Sequence, residues 1–303
     1  MEFNSKILIF GEYSIIHNSW ALATPYPLFS GHLSFDKEKA YNNELWSFSV
    51  YLEELFKHKV SVPFEFSINN FRFDLEQGLY FASSIPQGFG VGSSGALCAA
   101  LFHRYGKISP SVSTNEDSNI ETLRTIFALM ESHFHGKSSG LDPLISYLNS
   151  PLIIQSDKSI RKVQLPNFSS PELGWGLFLL NTNRPRRTEP LVNHYLEKSK
   201  QQEFEKAIQE ELIPITNSCM NDFLQGDSVN LFENFKKLSS FQYEHFQDMI
   251  PPLFREFWNT GLQNNEYYLK LCGAGGGGFL LGLAKDFNQC TELFKPYHIR
   301  KIF

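Results

Sequence analysis

The chain has 303 residues, 42% of them hydrophobic and 19% charged, with a formal net charge of −5. This composition excludes a disordered chain and leaves room for two domains or one large one, with ample core. The acidic balance argues against a dedicated nucleic-acid binder, which carries a basic surplus; local lysines can still hold a small anionic substrate.

The four cysteines, Cys98, Cys219, Cys272 and Cys290, are scattered without CxxC or Cys/His spacing, as reduced, buried thiols of a cytosolic protein would be. The opening Met1–Lys6 lacks the basic start and apolar core of a signal peptide. No apolar run reaches the ~18 residues of a membrane span. The expectation is a cytoplasmic protein that acts on a small molecule without membrane or nucleic acid, as a monomer or homodimer. The 29 phenylalanines read as core and groove filling.

In chain order, Ile7–Phe10 predicts a short buried strand, and Gly11-Glu12 turns into Tyr13–His17. Two extended segments follow at Ala21–Pro25 and His32–Phe35. Glu44–His58 predicts a helix whose apolar face includes Leu45, Val50, Leu52 and Leu55. Phe64–Phe73 alternates like a strand, and Gly78–Ser84 leads into a glycine-rich loop. The helix behind that loop should stop near Gly106. Ile120–Phe134 is the clearest amphipathic helix, with Leu123, Ile126, Phe127, Met130 and Phe134 at three- and four-residue steps. Strands are predicted at Leu152–Ile154 and Gly176–Leu180. From Pro190 the pattern turns helical, over Leu191–Ser199, Glu203–Gln225, Val229–Phe246 and Leu253–Thr260. Strands at Tyr267–Leu271 and Phe279–Leu283 flank a second glycine cluster, and His298–Phe303 is a final strand. The shift from β-rich to helical sets a domain boundary near 170–180.

The most informative stretch is Pro86-Gln87-Gly88-Phe89-Gly90-Val91-Gly92-Ser93-Ser94-Gly95. Glycines at this density let the backbone approach a ligand closely. A helix opening behind them adds unpaired N–H groups and a partial positive charge, which together suit phosphate. Gly90–Gly95 and Gly273–Gly278 both satisfy GxGxxG, yet neither has the context of a dinucleotide fold. Pro86 interrupts the approach to the first, residues 111–115 carry no acid, and the second runs from strand to strand. The P-loop pattern GxxxxGK[ST] is absent.

Ser93 or Ser94 can cap the helix, and a serine there can also ligate the Mg²⁺ of a nucleotide; the two roles are compatible. Glu131 lies at the edge of its helix's apolar stripe, so it either snorkels to the rim or is held inward. With Ser94 it would supply the hard oxygen ligands that Mg²⁺ prefers. Asp142, in Ser138-Ser139-Gly140-Leu141-Asp142-Pro143, is either a structural residue capping the next helix or a general base presented from a loop. By itself, Lys6 reads as a surface lysine.

Taken in order, Lys6-Ile7-Leu8-Ile9-Phe10-Gly11-Glu12, Ile85–Ser94 and Lys270-Leu271-Cys272-Gly273-Ala274-Gly275-Gly276-Gly277-Gly278 resemble the three motifs of the GHMP small-molecule kinases, spread over the length of the chain. Within that family the pattern most resembles the mevalonate kinases. The opening motif, the His135–Asp142 segment and Arg187-Thr188-Glu189-Pro190-Leu191-Val192 carry this closer likeness. Tyr13 replaces their usual histidine, Asn4-Ser5 their usual Pro-Gly, and Pro143 their usual asparagine.

The resemblance implies an α+β fold of two domains, residues 1–173 like ribosomal protein S5 domain 2 and residues 174–303 ferredoxin-like with extra helices, with ATP and acceptor sites in the cleft between them. It implies ATP and Mg²⁺ as cofactors. Asp142 would be the base facing the substrate hydroxyl, with Lys6 beside it keeping it ionised and stabilising the transferred phosphoryl. Ser94 and Glu131 would hold Mg²⁺, and Pro86, Gly88, Gly90, Gly92, Ser93, Ser94 and Gly95 would form the ATP phosphate loop. Glu12, Tyr13 and Thr188 would shape the substrate region, and Gly273, Ala274 and Gly275 would line it. The implied reaction is phosphorylation of the primary hydroxyl of a small carboxylic acid, mevalonate to 5-phosphomevalonate, in isoprenoid biosynthesis. The alternatives are a phosphomevalonate kinase, a sugar kinase of the same family, or a non-catalytic nucleotide-binding sensor. Arg184, Arg186 and Arg187 keep a phosphorylated acceptor in view.

Overall fold

A computed structural model describes all residues except 40–41, 59–61, 111–115, 137, 167–173 and 186–187, and the side chains of 116–118 and 188–189. The expected domain boundary at residue 173, and Lys137, Arg186 and Arg187, therefore lie outside the described residues. The chain divides into two compact units: Met1–Ile7, Thr24–Pro86 and Val91–Ser150, and Leu8–Ala23, Gln87–Gly90 and Pro151–Phe303.

The first unit takes the start of β1 (Phe3–Phe10) and most of β2 (Ala21–Phe35). β2 is one strand of 15 residues where two segments were expected. Its prolines, Pro25 and Pro27, fall between Ala21–Ala23 and Gly31–Phe35, the segments paired with two later strands. α1 (Asn43–His58) buries Leu45, Phe48, Leu52 and Leu55 along one face; Val50, expected on that face, is 51% exposed, because its place on the helix turns it away from the stripe that Phe48 and Leu52 share. β3 (Phe64–Phe66) ends the strand expected over Phe64–Phe73, and α2 (Ile68–Glu76) takes its place. The deciding spacing is that of Phe71 and Leu75, four apart and buried, while Phe73, needed for the alternation, is 61% exposed. β4 (Leu79–Ser83) pairs antiparallel with β2 at Gly31–Phe35.

α3 (Ser93–Tyr105) is buried continuously from Gly95 to Phe102, so it forms the centre of the unit and not a surface element. It ends at Gly106, as expected, where β5 (Gly106–Ile108) pairs with β3. α4 (Glu116–His135) turns Ile126, Phe127 and Met130 inward. α5 (Leu141–Leu148) begins at Gly140, whose φ of 73° is one glycine tolerates.

In the second unit, β6 (Leu152–Ile154) pairs with Ala21–Ala23 of β2 and with β7 (Ile160–Lys162). β8 (Gly176–Asn181) is followed by α6 (Thr188–Lys198) and α7 (Gln202–Ala207). The helix expected over Glu203–Gln225 is broken by a wide turn at Ile208–Leu212 before α8 (Ile213–Gln225). Pro214 has no N–H to return to residue 210, so the hydrogen-bond register slips there. α9 (Ser228–His245) is capped by the Asp227 side chain, and α10 (Pro252–Asn264) follows the Pro251–Pro252 break. β9 (Tyr267–Leu271), β10 (Phe279–Ala284), α11 (Phe287–Leu293) and β11 (Ile299–Lys301) complete the chain. The sheet runs β11-β8-β10-β9, antiparallel throughout. β9 and β10 are buried at every position, which explains their apolar composition and makes Lys270 an anomaly.

Candidate active site

The first unit assembles its polar residues at the start of α3. Gly92 is the N-cap, in left-handed conformation, and no side chain bonds to the cap. The capping reading of Ser93 and Ser94 therefore does not hold; among the described residues the first-turn N–H groups stay open to an anion. The Ser94 hydroxyl donates instead to Glu131 Oε1 at 3.0 Å, and its oxygen lies 2.9 Å from His135 Nε2. Glu131 is 4% exposed, so it is held inward rather than snorkelling. Ser138 donates to Glu131 Oε2 at 2.5 Å and accepts the Gly140 N–H at 3.0 Å. That chain of bonds ties the buried carboxylate to the entry of α5, which carries Asp142 in its first turn. Burial, and secondarily the Asp142 charge, push the Glu131 carboxyl up to about 7, against the opposing pull of the two hydroxyls and Lys6.

Lys6 lies within β1, not ahead of it, and its N–H donates to the Val91 carbonyl at 3.0 Å. Its ammonium is 2.9 Å from Asp142 Oδ1, with side chains 11% and 35% exposed. A Cβ on Gly95 would stand 2.8 Å from the Asp142 carbonyl carbon and the Pro143 nitrogen. The glycine therefore lets α3 lie directly against the backbone that presents Asp142. Lys6, Ser94, Glu131 and Asp142 thus come together with Gly92 and Ser93 in one unit; Pro86 belongs to the same unit.

The second unit gathers Glu12, Tyr13, Gly273, Ala274 and Gly275. Glu12 is fully enclosed and accepts from Lys270 Nζ at 2.5 Å, and Lys270 also donates to the Leu271 carbonyl at 2.7 Å. Burial raises the Glu12 carboxyl; Lys270 and the Gly273 N–H counteract it. The Tyr13 hydroxyl donates to the Ala274 carbonyl at 2.6 Å, and its ring packs 4.4 Å from that of Tyr195. Gly88 and Gly90 lie in this unit too. Between them, the Phe89 ring packs 5.5 Å from Phe279, and a Cβ on Gly278 would meet the Phe89 carbonyl oxygen at 2.5 Å. Thr188 begins α6, and its side chain is outside the described residues.

Residues 51–150 match the family model of the GHMP kinases N terminal domain. The fold of nearly the whole chain matches solved members of that family. L. major mevalonate kinase, solved in complex with R-mevalonate, has a TM-score of 0.65 at 15% identity, covering 99% of this chain and 94% of its own. Residues 51–150 thus resemble a GHMP kinase N-terminal domain, and the chain as a whole has the fold of these kinases. The Streptococcus pneumoniae phosphomevalonate kinase, solved with phosphomevalonate and AMPPNP, has a TM-score of 0.63 at 15% identity over 100% of this chain and 99% of its own. Lactococcus lactis galactokinase, complexed with galactose, gives 0.62 at 12% identity over 99% and 92%. No curated protein sequence matches the chain. The GHMP kinase fold is a two-domain α+β fold, as expected from the sequence.

Members of the GHMP kinase family are ATP-dependent small-molecule kinases. Among the described residues no cluster of three or more His, Cys, Asp or Glu forms a ready metal cage, and no helix is long and apolar enough to cross a membrane. One buried carboxylate beside one hydroxyl is a donor set that suits Mg²⁺, which keeps waters and takes its remaining ligands from phosphates. Three residues of these sites were not singled out from sequence. His135 and Ser138 lie inside the motif quoted for the family resemblance, but their partners Ser94 and Glu131 are supplied by other elements. Lys270 had a legible signal: a lysine inside an otherwise apolar strand needs a buried partner.

Proposed function

We propose that this chain is an ATP- and Mg²⁺-dependent kinase that phosphorylates the primary hydroxyl of a small carboxylic acid, with mevalonate the preferred acceptor. The observation that carries the reading is the Lys6–Asp142 pair at 2.9 Å, adjoining the open helix N-terminus and the Ser94–Glu131 pair. Asp142 receives the proton of the acceptor hydroxyl as the oxygen attacks the terminal phosphorus of ATP, whose bond to the bridging oxygen breaks and releases ADP. Lys6 orients that carboxylate and lies where charge grows on the transferred group. The N–H groups opening α3 bind phosphate oxygens. Ser94 and Glu131 would hold Mg²⁺, which neutralises phosphate charge when bound. Such positioning and charge neutralisation are most of what phosphoryl transfer asks of a protein.

On this reading Glu12, Tyr13, Thr188 and the turn at Gly273–Gly275 shape the acceptor region, and residues 1–173 and 174–303 are the two functional domains. Mevalonate is favoured by the motif likeness and by the structural similarity to the L. major enzyme. A phosphorylated acceptor is the second reading. It is favoured by Arg184, whose carbonyl accepts the Gly278 N–H at 2.7 Å, which puts an arginine beside the second glycine cluster. The test is a coupled ADP-release assay with mevalonate, mevalonate phosphate, galactose and homoserine. Turnover on mevalonate supports the first reading. Turnover only on mevalonate phosphate replaces it with the second, and nucleotide binding with no turnover on any acceptor favours the sensor. The reading places the chain in the cytoplasm, in isoprenoid biosynthesis.

A further inference from the structure

His135 is not explained by any role assigned so far. It is the last residue of α4, one turn beyond Glu131, and its Nε2 stands 2.9 Å from the Ser94 oxygen. Ser94 thus has two partners, Glu131 Oε1 at 3.0 Å and His135 Nε2, but only one proton to give. In the cation-free fold the Ser94 proton points at Glu131 Oε1. His135 must then be the donor, with hydrogen on Nε2. Glu131 Oε2 offers no relief, because Ser138 already donates to it.

A divalent cation changes this accounting. If Ser94 and Glu131 both turn oxygen lone pairs toward one cation, a proton on the line between them would face the positive charge. The hydroxyl has to rotate its proton away, and the acceptor within reach on the other side is His135 Nε2. That nitrogen can accept only when its hydrogen has moved to Nδ1, through solvent, since the ring is exposed. No net proton is taken up or lost: the Ser94 proton stays on Ser94, and the imidazole exchanges one tautomer for the other.

We infer that His135 is a positioning residue for the metal site, a tautomeric acceptor that takes the Ser94 hydroxyl's hydrogen bond and frees its lone pair for a divalent cation. The inference rests on the proposed reading of Ser94 and Glu131 as metal ligands. Residues that orient a metal ligand in this way typically contribute about 10–100-fold to affinity. The requirement is an acceptor at this position, which a glutamine carbonyl can also supply and a phenylalanine cannot.

Two measurements test it on the full-length protein. The first is calorimetric binding of AMP-PNP with saturating Mg²⁺ and again in EDTA, which yields the metal-dependent gain in affinity for each variant. His135→Phe should reduce that gain by about tenfold and leave the EDTA affinity unchanged, while His135→Gln should keep the gain within about threefold. The second is ¹⁵N NMR of histidine-labelled protein. Nε2 of His135 should be protonated without ligand and unprotonated in the Mg²⁺·AMP-PNP complex, with Nδ1 the reverse. An Nε2 that stays protonated in that complex, or a full gain in His135→Phe, overturns the inference. Ser94→Ala and Glu131→Gln separate the two levels. If neither loses the metal-dependent gain, the ligand reading itself fails and the role of His135 goes with it; if both lose it while His135→Phe does not, only the role of His135 fails.

Discussion

The protein contains two lysine–carboxylate pairs of the same chemistry in opposite surroundings. Lys6 and Asp142 are 2.9 Å apart, with side chains 11% and 35% exposed. Lys270 and Glu12 are 2.5 Å apart, with side chains 0% and 2% exposed. The first pair adjoins an open helix N-terminus and keeps one carboxylate within reach of a ligand. The second is sealed in, and its charges are taken up by each other and by backbone groups at Leu271 and Gly273. A partly exposed pair contributes little to stability, whereas each member of a buried pair depends on the other to offset its desolvation. Exposure, not chemistry, separates a pair available to a substrate from one committed to holding a glycine-rich turn.

The contrast can be broken most directly at Asp142. Asp142→Asn should lower turnover by about 10³-fold in the ADP-release assay while shifting the melting temperature by no more than about 2 °C, as a partly exposed pair implies. A near-normal rate in that variant would falsify the role of Asp142. At the buried pair the effects should invert. Lys270→Met or Glu12→Gln should destabilise the fold by about 3–5 kcal/mol in urea titration, and the double variant should recover most of that loss because no lone charge remains. Additive losses in the double variant would mean the pair is not the unit described.

Glu131 sharpens the comparison with a pH test. Its carboxyl is lifted from 4.5 to about 7, mainly by burial, so folding disfavours its ionised form. The resulting penalty is absent below pH 4.5, grows between 4.5 and 7, and is complete above 7. Glu131→Gln, which keeps an acceptor oxygen, should stabilise the nucleotide-free protein at pH 8 by on the order of 2–3 kcal/mol. Near pH 4.5 it should change nothing, and a gain independent of pH would contradict the assignment. The smallest effect is expected at the glycines. Gly95→Ala, whose Cβ would meet backbone at 2.8 Å, should cost about 1–3 kcal/mol. Gly92→Ala meets its nearest atom, the flexible Lys6 Cγ, at 3.0 Å, but its φ of 80° adds about 1 kcal/mol of strain. Equal losses at the two sites, read from melting curves, would remove the close-approach argument for Gly95.

Much of the fold was legible locally. Helices at α1, α4 and α9 follow from three- and four-residue apolar spacing, and the two glycine clusters mark their turns by composition alone. The failures have equally local causes. Phe64–Phe73 contains enough aromatics to imitate alternation, and only the burial of Phe71 and Leu75 against the exposure of Phe73 reveals the helix. The single strand β2 reads in the sequence as two segments, Ala21–Pro25 and His32–Phe35. At the site, Ser94 and Glu131 were legible as a pair but their contacts with His135 and Ser138 were not, and the cap assigned to Ser93 or Ser94 proved to be a glycine.

By itself, the sequence determined the order of the motifs, the helical and strand periodicities, and the need for glycine where the chain turns, since each depends on neighbours a few residues apart. Tertiary structure alone decided which side chains meet. Lys6 reaches Asp142 because α3 can press against α5 at Gly95; Lys270 reaches Glu12 across 258 residues of chain; and Glu131 draws in hydroxyls from two elements. Those distances follow from packing, and packing also decides which of two identical charge pairs remains open to a ligand and which is buried.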